Sequence, residues 1–191
     1  MIAYGYYLAA KKRKLDVDLV IQDVKKGFMQ ADSHVIKSIK DLPRESIILV
    51  SVSNKVGRLG EQKSFRGFCR EQGHRFGTAS GLGDAQSSYF NVFVEAMNIN
   101  YARMQKVGAK IKKLWDKAKS IRVTTPKGTD VTFQIEGMRA ISNVAAYQEK
   151  GSGGNLPAGE VYIAPIGVEN VSGKVVLDGS IRHEMGSSLL H

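Results

Sequence analysis

The stretch Ser46-Ile47-Ile48-Leu49-Val50-Ser51-Val52-Ser53 is an apolar run, broken only by Ser51, with the length and the β-branched content of a strand. Polar residues end the run. Such a pattern is typical of a strand covered on both faces, as in a parallel sheet. Helical and strand patterns alternate on either side of it. This order predicts an α/β fold in which helices flank a parallel sheet.

The flanking segments supply the other elements of this sheet. Helices are expected over residues 2–11, 33–42 and 59–72, and strands over residues 15–24 and 74–78. Ser33 is a suitable N-cap for the second helix, which Pro43 ends, and Gly73 suits the C-terminal end of the third. The segment 15–24, LDVDLVIQDV, is expected to be a buried strand.

A long helical pattern over residues 86–119 closes the predicted first domain. Apolar and small residues recur at steps of three and four and form one core-facing stripe: Met97, Tyr101, Met104, Gly108, Ile111, Trp115 and Ala118. Lysines occupy most of the remaining arc. Residues 1–119 are therefore predicted to form a Rossmann-like α/β domain that ends in this helix.

From Ser120 the apolar period changes to two, which indicates strands. A β-hairpin is predicted from residues 121–125 and 130–135, because Pro126-Lys127-Gly128-Thr129 between them has the composition of a turn. Residues 150–154 are expected to be a flexible loop, and two further strands are expected at 161–164 and 174–178. Residues 120–191 are therefore predicted to be a β-rich, partial second domain.

The composition excludes some classes of protein. The 28 basic and 18 acidic residues give a formal charge of +10, which attracts polyanions without specificity. A basic run, Lys11-Lys12-Arg13-Lys14, and the helical lysines lack the aromatic signature of an RNA-binding module, so a solvated lysine face is preferred to a nucleic-acid site. No apolar stretch is long enough for a membrane span, and the single cysteine, Cys69, fits a reducing compartment. The expected location is the cytoplasm.

Common catalytic motifs are absent or incomplete. His183-Glu184 begins like a zinc-protease motif, but Ser187 stands where the second histidine would be. The loop Ser80-Gly81-Leu82-Gly83-Asp84 could cradle a phosphate, although Gln86 takes the place of the last glycine of GxGxxG. Cys69 has no partner in the sequence, so a buried, inert thiol is the preferred interpretation.

Glu160 follows a stiff turn that contains Pro157 and Gly159, and it precedes a predicted strand. A carboxylate held in this way can reach a metal ion with little loss of entropy. The residues alone, however, favour an ordinary surface glutamate.

A resemblance to a known family favours a metal ligand at Glu160 over an ordinary surface glutamate. The segment Asn155-Leu156-Pro157-Ala158-Gly159-Glu160-Val161-Tyr162-Ile163-Ala164-Pro165 resembles the NLPxGEVxxAP signature of the thermophilic leucyl aminopeptidase family, which includes aminopeptidase T. The hairpin at residues 121–133 and the strand at residues 173–181 also resemble segments of that family. The three segments occur in the family's order.

The resemblance implies a metallo-aminopeptidase, a hydrolase that removes N-terminal residues from peptides and typically forms dimers. Glu160 would correspond to the first metal-ligand glutamate, and the divalent ions would be zinc, cobalt, manganese or magnesium. The family's other ligands lie well beyond the signature. His183, Glu184 and His191 do not reproduce their pattern, so no catalytic residue is assigned.

The sequence therefore predicts an N-terminal fragment, truncated before most of its metal site and inactive alone. Two alternatives stay open. One is a related iron-dependent, ring-cleaving dioxygenase-like protein. Its metal ligands would distinguish it from the aminopeptidase. The other is a non-enzymatic α/β module that only self-associates. A homo-oligomer is expected in either case, without membrane or nucleic-acid partners.

Overall fold

The structure is a computed structural model, and it describes residues 2–26, 28–52, 55–60, 64–81, 87–178, 180–183 and 186–189. It is a mixed α/β structure with a parallel sheet and further antiparallel sheets, which confirms the predicted fold class. Two compact units are present: Met1–Gln105 with Asn143–Gly159, and Lys106–Ser142 with Glu160–His191. The division after residue 119 stays a prediction, because compact units need not coincide with independently folding domains.

A parallel sheet of three strands, in the order β1, β2, β6, organises the first unit. The strands are β1 (Ile47–Val52), β2 (Arg75–Ser80) and β6 (Gly153–Asn155). In this register Val50 lies beside Thr78, and Thr78 lies beside Asn155. Because the strands are parallel, their carboxyl ends share one edge of the sheet.

Five helices accompany the described strands. They are α1 (Ile2–Lys12), α2 (Ser33–Asp41), α3 (Phe65–Gln72), α4 (Phe90–Met97) and α5 (Tyr101–Trp115). Short 3-10 helices cover Ser87–Tyr89 and Val168–Asn170. Among the described helices, none combines the length and the apolar character that crossing a membrane requires.

Capping residues explain where these helices differ from the prediction. The third helix was expected from residue 59, but the Ser64 side chain accepts a hydrogen bond from Gly67 N at 3.1 Å and fixes the start of α3 at Phe65. Gly73 ends α3 in the left-handed conformation (φ 73°), as predicted.

The single helix predicted over residues 86–119 is wrong, because the helical pattern breaks between α4 and α5. Asn100 accepts a hydrogen bond from Arg103 N at 2.9 Å through its side-chain oxygen, and this bond starts a new helix. The predicted core-facing stripe is confirmed, since all seven of its residues are half-buried or buried.

The core of the first unit lies between the sheet and helices α2 and α3. Its buried members are Ala31, Val35, Ile39, Leu59, Phe65, Phe68, Cys69 and Phe76. Ile48 and Val50 of β1 pack against this cluster. Their neighbours Ile47 and Leu49 point to the other face and are 62% and 44% exposed. The expectation that β1 is covered on both faces is therefore wrong.

The buried strand predicted over residues 15–24 is also absent from the structure. No residue of this segment lies in a strand, and Ile21 is 75% exposed. Side chains contact backbone groups of this segment that would otherwise form hydrogen bonds with a neighbouring strand. His34 Nε2 lies 2.7 Å from Ile21 O, and Asp32 accepts a hydrogen bond from Asp23 N at 3.2 Å. The apolar pattern was therefore not sufficient to place this segment in a sheet.

The second unit contains an antiparallel sheet in the order β3, β4, β8. The strands are β3 (Ser120–Thr124), β4 (Asp130–Gln134) and β8 (Val171–Lys174). The predicted hairpin is confirmed as β3–β4, whereas the strand predicted at 174–178 lies earlier, in β8. Two further pairs join β5 (Ile141–Asn143) with β7 (Glu160–Tyr162), and β9 (Ser180–His183) with β10 (Gly186–Leu189).

His74 is a buried titratable group in the core of the first unit. It is 1% exposed, its Nδ1 has no hydrogen-bond partner among the described residues, and its ring lies 5.8 Å from that of Phe68. Burial, with a smaller contribution from the positive charge of Arg44, lowers the pKa of His74 below its usual value. Burial therefore favours the neutral form of this imidazole in the folded protein.

We expect acid to weaken the first unit through His74. Below about pH 6.5 the unfolded chain binds a proton that the folded chain resists, so the free energy of unfolding falls with pH, by at most about 1.4 kcal/mol per pH unit. Urea denaturation at several pH values would measure this slope. His74→Leu should remove the part of this slope that His74 contributes. His34→Gln, at an exposed position, should leave that part in place. Equal slopes for the His74→Leu variant and the unmodified chain would contradict the prediction.

Candidate functional site

Three polar residues meet at the carboxyl edge of the parallel sheet, and we call them the Arg66 cluster: Arg66, Thr78 and Asn155. Arg66 Nη2 donates to Asn155 Oδ1 at 2.5 Å and to Thr78 Oγ1 at 3.3 Å. The Thr78 hydroxyl also lies 3.1 Å from Asn155 Oδ1. Thr78 is 7% exposed, whereas Arg66 and Asn155 are exposed. The cluster is therefore buried at Thr78 and open to solvent at Arg66 and Asn155.

The local fold explains why these residues meet. Arg66 lies in the first turn of α3, and the strand register places Thr78 beside Asn155. Two glycines allow β6 to approach so closely. A side chain at Gly153 would overlap the carbonyl oxygen of Phe76, and a Cβ at Gly154 would lie 2.5 Å from Tyr147 Oη. Larger residues at either position would displace Asn155.

A second set of bonds holds the backbone of Asn155. The Tyr147 hydroxyl lies 2.5 Å from Asn143 Oδ1 and 3.1 Å from Asn155 O. The next backbone amide, Leu156 N, donates to Thr78 O at 2.8 Å. Because these contacts fix the main chain, the Asn155 side chain is held in place for Arg66.

Several donors of the Arg66 cluster have no partner among the residues that the structure describes. They are Arg66 Nε, Arg66 Nη1 and Asn155 Nδ2. An arginine carries its charge at any physiological pH. The cluster therefore presents a cation and uncommitted N–H groups at its exposed side, which is an arrangement suited to an oxyanion.

Glu160, the predicted metal ligand, lies elsewhere, in the second unit. It is exposed and begins β7, shortly after a cis Leu156–Pro157 peptide. Within the described ranges, no group of three or more His, Cys, Asp or Glu residues is close enough to hold a metal ion. Of the other candidates, only the backbone of His183 is described, in β9, while Glu184 and His191 lie outside the described residues. The role of Glu160 stays a prediction.

The remaining candidates give simpler results. Cys69 is fully buried, and burial raises the pKa of its thiol to about 11, which fits the inert thiol expected. Leu82, Gly83 and Asp84 of the possible phosphate loop lie outside the described residues, and only Ser80 and Gly81 precede them in the structure. The lysines of α5 are mostly exposed, as expected of a solvated face.

Comparison with known proteins places part of this chain beside a class of oxygen-using enzymes, the dioxygenases. The matching family is NicX, 2,5-dihydroxypyridine 5,6-dioxygenase, and its model matches residues 94–182. The match covers slightly less than half of the 191 residues. No significant match to a curated protein or to a solved structure was found.

This match corrects the family that the sequence suggested. The signature at residues 155–165 and the hairpin at residues 121–133 both lie inside the matched range, as does almost all of the strand segment at 173–181. The resemblance to the thermophilic leucyl aminopeptidases is therefore wrong as an assignment, and so are the peptidase and hydrolase activities it implied. A short signature was therefore not sufficient to assign the family. The general expectation of a metal-dependent family agrees with the match.

Proposed function

We propose that this chain is part of a ring-cleaving dioxygenase-like protein that acts on a hydroxylated pyridine. The observation that carries the proposal is the match of residues 94–182 to the 2,5-dihydroxypyridine 5,6-dioxygenase family. A ring-cleaving dioxygenase is the alternative to the peptidase that the sequence leaves open. The metal ligands would distinguish these two classes of enzyme. Iron replaces zinc, cobalt, manganese and magnesium as the expected ion, because it is the usual metal of oxygenases with imidazole and carboxylate ligands.

The described residues do not fit a complete iron centre. Glu160 is one carboxylate, and the described part of the chain holds no cluster of three potential ligands. Since a protein metal site generally needs three or more protein ligands, further ligands would have to come from outside the described residues. No reaction step is therefore assigned to individual residues. We propose that the 191-residue chain binds the ring but does not cleave it alone.

Binding and turnover can be measured separately. We expect 2,5-dihydroxypyridine to bind saturably to the purified full chain without oxygen, by isothermal titration calorimetry, and to bind at least about tenfold more tightly than pyridine. The hydroxyl groups are the reason, because a site built to hydrogen-bond them loses about 1.4 kcal/mol or more with an analogue that lacks them.

After Fe(II) is added in air, an oxygen electrode should record no uptake beyond that of a protein-free control with the same Fe(II) and ring. A parallel assay with leucyl p-nitroanilide and Zn(II), Co(II) or Mn(II) should record no hydrolysis. Absent or unselective ring binding, or anilide hydrolysis, would refute the proposed class. Uptake of one O₂ per ring lost would support the class and refute the inactivity of the chain alone, because a dioxygenase places both oxygen atoms in its product.

Self-association remains a prediction with structural support. Large apolar side chains are exposed on the first unit, including Phe28 at 84% and Ile21 at 75%. Exposed apolar surface of this kind often marks an interface between proteins. A homo-oligomer is therefore retained in the proposal, as is the expectation that neither a nucleic acid nor a membrane is a partner.

A further inference from the structure

We propose that the Arg66 cluster is a binding site for the carboxylate group of a small organic acid. The site would use the charge of Arg66 together with the side-chain amide of Asn155. The buried Thr78 hydroxyl is hydrogen-bonded to both of these side chains. This proposal goes beyond the ring-cleaving function and does not depend on it, because Arg66, which supplies the charge, and Thr78 lie outside the matched residues 94–182, although Asn155 lies inside them.

The charge of Arg66 is the first reason. Its recorded partners, the hydroxyl of Thr78 and the amide oxygen of Asn155, are both neutral. Three other exposed basic residues pair with carboxylates at 2.7 Å: Arg122 with Asp130, Lys127 with Asp178, and Lys150 with Glu45. Arg66 has no such carboxylate among the described residues, so an anionic ligand could bind it without breaking an ion pair that the structure describes.

The second reason is that the guanidinium is held in place. An exposed arginine normally loses side-chain entropy when it binds a ligand. Here Nη2 is already bonded to two acceptors, and one of them belongs to the 7%-exposed Thr78. Nε and Nη1 remain available beside Asn155 Nδ2. A bound carboxylate would therefore meet donors that the fold has already positioned.

The position in the fold is the third reason. Ligands of open α/β sheets bind outside the carboxyl ends of the strands. Asn155 is the last residue of β6, and Thr78 lies beside it, two residues before the end of β2. The first turn of α3, which contains Arg66, adds the positive end of a helix dipole. One full cation and neutral donors match a monoanion, so a carboxylate fits this site better than a phosphate dianion.

Calorimetric titration of the full chain with benzoate and with benzamide tests the proposal. The two probes have nearly the same shape and differ in charge. We expect saturable benzoate binding and at least about tenfold weaker benzamide binding, because hydrogen bonds between charged groups are the strong ones. Arg66→Gln should weaken benzoate binding at least about tenfold. The control Arg70→Gln makes the same charge change in the same helix at an exposed residue, and should alter affinity less than about twofold.

A second measurement locates the ligand without any substitution. In nitrogen-15 NMR spectra of the unmodified chain, benzoate should shift the side-chain amide signals of Asn155, and benzamide should not. The proposal is overturned by equal affinities for the two probes, by equal losses in the two arginine variants, or by tighter binding of inorganic phosphate than of benzoate. Unshifted Asn155 signals at saturating benzoate would also overturn it, even if Arg66→Gln failed to fold.

Discussion

Replacing Phe76 with alanine is expected to lower the free energy of unfolding by about 3–5 kcal/mol. Phe76 is the second residue of β2, is 2% exposed and packs edge-to-face on Phe65, with ring centroids 5.7 Å apart. The substitution would remove the contacts of a whole ring and leave a cavity between the sheet and the helices. Because β2 is the central strand, both of its neighbours would lose support. Urea denaturation followed by circular dichroism would measure the change.

Phe28→Ala provides the matched control for this prediction. The same atoms are removed, but Phe28 is 84% exposed, and its recorded ring contacts are with the cations of Lys55 and Arg58 at 5.7 and 5.8 Å. A loss below about 1 kcal/mol is expected, since exposed cation–π contacts contribute about 0.5–1 kcal/mol. Comparable losses at positions 28 and 76 would show that the core of the first unit is not where the structure places it.

Gly173→Ala is expected to destabilise the second unit by about 2–4 kcal/mol. Gly173 lies in β8 beside Val131 of β4, with a φ of 119° that other residues rarely adopt. A Cβ there would overlap the carbonyl oxygen of Asp130 and lie 2.8 Å from the Cα of Val131. Both obstacles are backbone atoms, so β8 would have to move away from β4. Calorimetric melting would report this as a transition lowered by roughly 5–15 °C.

Gly137→Ala separates the two causes of that loss. Gly137 also has a positive φ, 79°, but a Cβ there would meet no atom within 4 Å. Only the cost of the backbone conformation applies, which is about 1 kcal/mol. If both glycine variants melted at the same temperature, backbone conformation alone would explain the effect, and the close approach of β8 to β4 would be refuted.

Local patterns were sufficient for much of the fold. The apolar run at β1 and the alternation on either side of the turn at Pro126 identified strands, because each signal lies within a few residues. The C-terminal end of α3 was also predictable, since glycine readily adopts the left-handed conformation seen at Gly73. These features need no knowledge of distant contacts.

Long-range pairing explains most of what the sequence did not reveal. Residues 150–154 have the composition of a flexible loop, yet Gly153 begins β6, whose partner β2 lies about 75 residues earlier in the chain. The glycines that suggested flexibility are the residues that allow close approach to Phe76 and Tyr147. Conversely, the apolar segment 15–24 has a strand pattern but no strand partner in the described structure.

The candidate site was missed for the same reason. In the sequence, Asn155 stands out only as the first residue of a signature, and no motif includes Arg66 or Thr78. Their meeting depends on the register of β2 and β6, which sequence separation conceals. The available signal was that Thr78 ends a predicted parallel strand, at the edge where ligands of such sheets bind. Glu160, by contrast, stands out in the sequence through a signature, and its role as a metal ligand stays a prediction.

The first unit consists of two stretches of chain, Met1–Gln105 and Asn143–Gly159, and this has a consequence during synthesis. When residue 105 leaves the ribosome, β1 and β2 are present but the third strand of their sheet is not. Roughly fifty more residues must emerge before Gly153–Asn155 can add to β2. Translation at about 5–20 residues per second leaves one edge of β2 open for several seconds. A nascent chain therefore exposes a template for strand pairing in this interval, and chaperones that shield strand edges would act then.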